Sequence, residues 1–179
     1  MMINQRSQLA VIMTIVGILV FGVGYFVARA ESRADTRVIY SLDKRQNDRE
    51  LIKLIDNANK YVYFAIYYFS EKDIADALVR AKKRGLVVWG ITDRDADQDV
   101  NKDVVSELQN AGITVESQRH LDGIMHIKAL VTDQAYASGS YNWTEAATDA
   151  NDEILEIGSD ENARKQYLSI IQKILEINH

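Results

Sequence analysis

Residues 126–143 read HIKALVTDQAYASGSYNW, and this stretch carries most of the information in the chain. It holds His126 and Lys128 two residues apart, then Asp133, and then the block Gly139-Ser140-Tyr141-Asn142-Trp143. In a β-strand, residues i and i+2 point to the same face. If the first half of the stretch is a strand, the imidazole and the ammonium therefore meet the same ligand.

The apolar residues of this stretch favour a strand from about Met125 to Thr132, because Ile127, Ala129 and Val131 alternate onto the opposite face. An imidazole beside a fixed positive charge suits attack on a phosphodiester. The nucleophile must approach phosphorus while the negative charge of the phosphate is offset. The stretch therefore predicts an enzyme that cleaves phosphodiesters.

Strands and helices alternate along the rest of the chain. Runs rich in β-branched and aromatic residues predict further strands at 38–40, 61–69, 86–92, 113–115, 135–138 and 154–157. Apolar residues at helical spacing predict helices that begin near Asp48, Ser70, Val100 and Glu161, with Ser70 acting as an N-cap. This order predicts an α/β domain with a mixed β-sheet flanked by helices.

An uncharged apolar run, LAVIMTIVGILVFGVGYFV at residues 9–27, precedes the domain. Roughly 20 apolar residues span a bilayer as a helix, which favours an uncleaved membrane anchor. Ala28-Arg29-Ala30 also fits a signal-peptidase site, so a cleaved export signal stays open, and a buried core helix is the third alternative. We expect an N-terminal apolar helix within residues 1–30, a linker at 31–37 and a catalytic domain at 38–179.

The cellular location of the domain depends on whether residues 9–27 are an anchor or a cleaved signal. Basic residues flank the apolar run on both sides, so charge alone does not fix the orientation. The small-x-small feature at Ala28–Ala30 favours export. We expect a single N-terminal span with the domain outside the cytoplasm, or a periplasmic or secreted domain after cleavage near Ala30.

Composition narrows the classes of function. The chain has no cysteine, which excludes disulfides and thiolate metal sites. From position 31 onward, 19 basic and 26 acidic residues leave a net charge of −7. General nucleic-acid binders gain affinity by releasing counterions from phosphates and carry the opposite charge. The net charge therefore disfavours a nuclease without excluding one, since an acidic surface is compatible with a local basic groove.

The combination of motifs resembles the phospholipase D superfamily, in particular its single-motif members, the small bacterial endonucleases and the mitochondrial cardiolipin hydrolase group. The resemblance covers nearly all of residues 38–177. It rests on the segments AIYYFS at 65–70, AL at 77–78, AKKRG at 81–85, MHIK at 125–128, Asp133, GSYNW at 139–143 and NDE at 151–153.

That resemblance implies a phosphohistidine intermediate, formed without a metal or other cofactor, at a site built from two H-x-K motifs. This chain has one such motif, so a homodimer would complete the site. His126 of one subunit would attack phosphorus, and His126 of the partner subunit would protonate the leaving oxygen. Lys128 and Asn142 would hold the phosphate oxygens, with Ser140 adding a hydroxyl contact. Two further carboxylates complete the assignment: Glu153 would orient the His126 ring, and Asp133 would serve a structural role behind the site.

Other candidate residues receive less weight. His120 lies in a polar stretch, so we expect it to be a loop residue without a catalytic role. His179 is at the chain terminus, and we expect no catalytic role for it either. A zinc site from His120, Asp122 and His126 lacks a matching ligand spacing. The acidic residues between positions 93 and 99 are interpreted as a solvated loop. Among the aromatic and apolar residues, Tyr141, Trp143 and Met125 are expected to line the substrate mouth.

The motif does not separate two substrates, nucleic acid and phospholipid. We rank a metal-independent endonuclease first, since length and the single motif resemble the small endonucleases. A phospholipase acting on headgroups is second, and a non-catalytic phosphate-binding module is third. A basic strip of Lys82, Lys83, Arg84 or Arg119 beside the mouth would favour nucleic acid. An apolar rim that includes Ile124, Met125 and Trp143 would favour lipid.

Overall fold

The computed structural model describes residues 35–119 and 122–178, together with residues 13, 14 and 16. Residues from Asp35 onward form one compact unit. Its strands are β1 (Thr36–Tyr40), β2 (Tyr61–Ile66), β3 (Val87–Thr92), β4 (Thr114–Ser117), β5 (Lys128–Thr132), β6 (Tyr136–Gly139) and β7 (Ile154–Gly158). Its α-helices are α1 (Ser41–Lys44), α2 (Asn47–Asn57), α3 (Lys72–Lys83), α4 (Lys102–Asn110), α5 (Glu145–Asp149) and α6 (Glu161–Asn178). A short 3₁₀ helix covers Ala96–Gln98.

The seven strands form one sheet in the order β1-β7-β6-β5-β2-β3-β4. Strand β2 pairs in parallel with β3, and β3 in parallel with β4, whereas the other neighbours are antiparallel. The sheet is therefore mixed, and its helices lie on both faces, as the sequence predicts. The antiparallel pairing of β5 with β2 sets Lys128 opposite Ile66, so β5 begins at the edge where β2 ends.

Each face of the sheet buries its own apolar core. Leu130 of β5 belongs to the core that includes Leu51 of α2 and Leu78 of α3. Its neighbours Ala129 and Val131 belong to the second core, which Ile171 and Leu175 of α6 cover. Successive residues of a strand point to opposite faces, so a strand buried on both faces reads as a continuous apolar run. This two-sided burial fixes the register of β5 and thereby the position of Lys128.

The motif strand begins later than predicted. We expected a strand from about Met125, but β5 begins at Lys128, and His126 precedes it in irregular backbone. The main-chain N–H of Met125 donates to the Asp93 carboxylate at 2.9 Å instead of joining the sheet. The i, i+2 argument for His126 and Lys128 is therefore wrong in detail, although the two residues still share one end of β5.

The predicted strand at 61–69 is also shorter, because β2 ends at Ile66. Beyond it, the main chain bonds to side chains from other parts of the fold, including Asn101 and Asn142. Ser70 is not an N-cap. Its N–H donates to the Trp143 carbonyl, and α3 begins at Lys72 without a side-chain cap.

At the N-terminal side of the domain, β1 begins at Thr36 and pairs with β7, so it extends into the segment expected to be a linker. The apolar run at 9–27 lies outside the described residues except for positions 13, 14 and 16. Among the residues that the structure describes, no helix is both long and apolar enough to cross a membrane.

Candidate active site

His126 and Lys128 lie at the edge of the sheet where β5 begins and where β2 and β3 end. His126 is exposed, and its ring meets the ring of Tyr67 edge-on with 4.7 Å between centroids. Lys128 is the first residue of β5, and its side chain is largely buried. An accessible imidazole therefore stands next to a cation that the fold has partly removed from water.

The Lys128 ammonium is held between the main chain of His126 and the ring of Tyr67. Its Nζ donates to the carbonyl oxygen of His126 at 3.1 Å and lies 5.3 Å from the centroid of the Tyr67 ring. Burial lowers the pKa of Lys128 below its usual value, and the nearby Glu153 carboxylate acts against that change. The carbonyl, the π face and the carboxylate together stabilise a desolvated positive charge.

Tyr67 and Tyr68 form an aromatic pair beside His126. Their ring centroids are 4.2 Å apart, and the Tyr67 hydroxyl donates to the Tyr68 hydroxyl at 3.4 Å. The hydrogen bond with Tyr68, followed by burial and by charges that include Asp93, raises the pKa of Tyr67 to about 12. The phenol therefore stays neutral at physiological pH and contributes its ring rather than a charge.

Ser140 and Glu153 meet on the other side of Lys128, because β6 ends and β7 begins at this same edge. The Ser140 hydroxyl donates to Glu153 Oε2 at 2.5 Å and accepts from the Ile154 N–H at 3.1 Å. Asn151 donates to the second carboxylate oxygen of Glu153 at 3.4 Å. Within the described residues, the hydrogen bonds of the Glu153 carboxylate go to these partners and none goes to His126.

Asn142 faces the same edge. Its Oδ1 accepts the N–H of Tyr68 at 3.3 Å, which leaves the amide nitrogen without a hydrogen bond among the described residues. Two N–H donors are therefore available to a bound anion. Asn142 thus joins Lys128, Ser140 and Glu153 around His126.

Asp133 does not join this group, because it follows β5 at the opposite end of the strand. Its Oδ1 accepts the N–H groups of Asn59 and Lys60 at 2.9 and 3.1 Å. Burial acts to raise the pKa of Asp133, but these bonds and one from Gln134 outweigh it and hold the pKa below its usual value. Its contacts support the structural role and not the catalytic one.

Comparison with known proteins identifies the family. Residues 51–175 match the family model described as cardiolipin synthase, PLD-like domain. The chain belongs to the phospholipase D superfamily. Its match to that family model includes His126, Lys128, Asn142 and Glu153, the four residues that cluster at this edge of the sheet.

Relatives within the phospholipase D superfamily carry lipid-hydrolase names. A phospholipase D from Rickettsia conorii is 34% identical over 116 residues, which cover 64% of this chain and 56% of that protein. A mitochondrial cardiolipin hydrolase from Danio rerio is 34% identical over 104 residues, covering 58% of this chain and 45% of that protein. The chain therefore spans about half the length of the curated relatives it matches.

Two solved structures share the fold over nearly their whole length. Nuc from Salmonella typhimurium, described as a phospholipase D family member, has a TM-score of 0.74 and 25% identity, and the match covers 80% of this chain and 95% of that one. NucT from Helicobacter pylori has a TM-score of 0.75 and 26% identity, with coverage of 80% and 97%. The phospholipase D fold of the compact unit is thus shown by both.

Two residues of this phospholipase D-like site were missed by the sequence analysis. Asp93 was interpreted as part of a solvated loop, yet it is almost fully buried and accepts the N–H of Met125. Asn101 is fully buried and bonds the main chain of Tyr67 and Phe69. The available signal was the position of Asp93 directly after a buried strand; nothing local marks Asn101. His120 and His179 lie outside the described residues.

The rim of the site matches each expectation only in part. Arg84 bonds the carbonyls of Ile55 and Ala58, so the basic residues at the end of α3 lie at the opposite edge of the sheet from His126. Arg119 follows β4, which ends at the same edge of the sheet as β3. Met125 and Trp143 are buried core residues, and Tyr141 is buried with its hydroxyl bonded to Thr148. Of the predicted apolar rim, Ile124 is exposed.

Proposed function

We propose that this domain hydrolyses phosphodiesters through a covalent phosphohistidine formed on His126. The observation that carries the proposal is the exposed imidazole beside the buried Lys128 ammonium, with the free amide nitrogen of Asn142 on the same edge. The nucleophile is accessible, while the groups that offset phosphate charge are held in place before the substrate arrives.

The reaction takes two displacements. A neutral ring nitrogen of His126 attacks phosphorus, the bond from phosphorus to the leaving oxygen breaks, and a protonated histidine transfers a proton to that oxygen. The second histidine, now neutral, removes a proton from water as the water oxygen attacks phosphorus. The bond between nitrogen and phosphorus then breaks, and His126 returns to its neutral form.

A second histidine is required, and we propose that His126 of the partner subunit supplies it. The chain carries one H-x-K motif, and the described residues bring no other histidine to the cluster. A two-fold axis through the site would bring the two equivalent imidazoles together. Each one then acts as nucleophile or as acid according to which of them is protonated.

Nucleic acid is the proposed substrate. The Tyr67–Tyr68 pair lies directly beside His126 and is only partly buried, and such rings stack on bases without regard to sequence. Cleavage would not depend on a metal, because the nucleophile is a side chain rather than an activated water.

Phospholipid headgroups are the second candidate, favoured by separate observations. The basic strip of α3 is remote from the site, and Ile124 is exposed two residues before His126. The relatives named phospholipase D and cardiolipin hydrolase point the same way. Both candidate substrates contain a phosphodiester that the same reaction would cleave. They differ in the groups attached to that phosphodiester.

The test uses the full chain in detergent with EDTA, offered single-stranded DNA or anionic phospholipid in mixed micelles in parallel. His126→Asn is the test variant, and His179→Asn is the matched control. We expect cleavage of DNA by the wild type and the control and none by His126→Asn. Headgroup release without DNA cleavage would replace the first candidate by the second. Loss of activity in EDTA, or full activity of His126→Asn, would overturn the proposed mechanism.

A further inference from the structure

The segment 93–101, which we call the β3 loop, follows β3 at the edge of the sheet that carries His126. It contains two polar side chains that are removed from solvent, Asp93 at 1% exposure and Asn101 at 0%. Buried polar groups are costly unless their hydrogen bonds are satisfied. The partners of these two side chains therefore show what the loop holds in place.

Asp93 ties the loop to the residue that precedes His126. Its Oδ2 accepts the N–H of Met125 at 2.9 Å, and its Oδ1 accepts the N–H groups of Asp95 and Ala96 at 3.0 and 3.3 Å. Residues 124–127 belong to no strand or helix, so the sheet does not fix them. Among the described contacts, this hydrogen bond is the one that anchors the main chain immediately before the nucleophile.

Asn101 ties the other end of the loop to the ring that contacts His126. Its Nδ2 donates to the Tyr67 carbonyl at 2.9 Å, and its Oδ1 accepts the Phe69 N–H at 2.7 Å. Nδ2 also donates to Asp97 at 3.0 Å, and Asp97 in turn accepts the hydroxyls of Thr92 and Ser117. Tyr67 has left β2, so these bonds replace the sheet in fixing its position.

We propose that the β3 loop positions the nucleophile, with Asp93 fixing the main chain before His126 and Asn101 fixing the main chain of Tyr67, whose ring contacts the imidazole. The inference rests on the proposed role of His126. Neither side chain takes part in bond making; each acts through a residue that it holds.

Such positioning matters because covalent catalysis needs the attacking atom near phosphorus and in line with the leaving group. A displacement of about 1 Å, caused by a change away from the reacting atoms, can lower the rate roughly 100-fold. Within the described part of the chain, the His126 ring contacts one other ring, and its main chain is irregular. His126 therefore depends on the loop more than Lys128, which the sheet holds.

The first test replaces Asp93 by Ala, which removes both acceptor oxygens and with them the bond from the Met125 N–H. Asp95→Ala, at an exposed position in the same loop, is the matched control. On the full chain we expect kcat to fall roughly 10- to 100-fold with KM nearly unchanged, since the reacting geometry rather than binding is altered. Hydrogen–deuterium exchange should quicken in a peptide covering 122–127 and not in the control.

A kcat equal to that of Asp95→Ala would overturn the inference, and so would a loss of kcat without faster exchange at 122–127. Faster exchange over the whole chain would show a merely structural role for Asp93. If the wild type hydrolyses nothing, the proposed function fails. The exchange of 122–127 then still decides whether Asp93 holds this segment.

The second test is needed if the Asp93 variant does not fold. Asn101→Asp keeps the acceptor for Phe69 but removes the donor to Tyr67, and Asn110→Asp at the exposed end of α4 is its control. We expect a fall in kcat with unchanged KM and faster exchange of the Tyr67 segment. Equal kcat in the two variants would remove Asn101 from the proposal.

Discussion

At the scale of single residues, Tyr67 is the side chain that contacts both motif residues. Its ring meets the His126 imidazole edge-on and lies under the Lys128 ammonium. An aromatic face attracts a cation, and edge-to-face rings hold each other in orientation. The hydroxyl, which bonds to Tyr68, lies outside both contacts.

Tyr67→Phe should therefore keep most of the activity, within roughly 3-fold of the wild type, because both ring contacts survive. Tyr67→Leu should lower kcat roughly 10- to 100-fold, since the imidazole loses its orientation. Steady-state kinetics of the two variants, with melting temperatures to confirm folding, check this. Equal kcat values for Phe and Leu would show that the ring does not orient His126.

Burial and the Glu153 carboxylate act in opposite directions on the pKa of Lys128, with burial the larger effect. Burial lowers the pKa of Lys128, and the Glu153 carboxylate opposes that change by stabilising the ammonium. Glu153→Gln removes the opposing charge, so the pKa of Lys128 should fall further and activity should be lost at lower pH than in the wild type. A pH–rate profile measures this, with Glu145→Gln as the control. An alkaline limb that stays in place or moves upward would contradict it.

The residues that the sequence analysis could identify are those whose signal is local. His126, Lys128 and Asn142 stand within 17 residues of one another in a recognisable pattern. Asp93 and Asn101 could not be found in this way, because their partners are 32 and 34 residues away and only the sheet brings them together. A buried carboxylate and a solvated one look alike in a single sequence.

At the scale of secondary-structure elements, the sequence predicts the strands better than it predicts where each strand begins and ends. The buried runs of β2 and β5 could be predicted from their composition, but not where each leaves the sheet. Side chains that are distant in sequence determine where these strands end. Asn101 and Asn142 bond the main chain after Ile66, and Asp93 bonds the main chain before Lys128. The irregular backbone that results carries Tyr67 and His126, so the errors in the predicted strands fall on the site itself.

Gly139 ends β6 next to Ser140, and its backbone favours glycine at φ +153°. A Cβ here would run into the carbonyl oxygen of Ile154. Gly139→Ala should cost about 2–4 kcal/mol of unfolding free energy, because it combines backbone strain with a steric clash. Gly123 also has positive φ, but a Cβ there meets open space, so Gly123→Ala should cost about 1 kcal/mol. Denaturant unfolding measures the unfolding free energy of both variants. Equal losses of stability in the two variants would show that the predicted clash at Gly139 is absent.

At the scale of the whole molecule, the mixed sheet explains why one edge carries the chemistry. The starts of β5 and β7 and the ends of β2, β3 and β6 meet there, which gathers segments from 65 to 154 around His126. The sequence predicts only the fold class, an α/β domain with a mixed sheet. Neither the strand order nor the register follows from the alternation of strands and helices. The two solved structures with TM-scores of 0.74 and 0.75 share this fold.

The proposed two-fold site makes a prediction about mixtures. If each site needs His126 from both subunits, adding an equal amount of His126→Asn to the wild type should lower its activity to about half after the subunits exchange. His179→Asn, added in the same way, should lower nothing. An activity that stays constant on mixing with His126→Asn, under conditions where exchange is shown, would mean that one chain suffices.

A covalent intermediate on His126 would determine the stereochemical course of the reaction at phosphorus, which can be measured. A phosphorothioate diester of one configuration is hydrolysed in oxygen-18 water, and the configuration of the product is determined. Two successive in-line displacements invert the configuration twice, so we expect overall retention. Net inversion would show that water attacks the diester directly, and His126 would then not be the nucleophile.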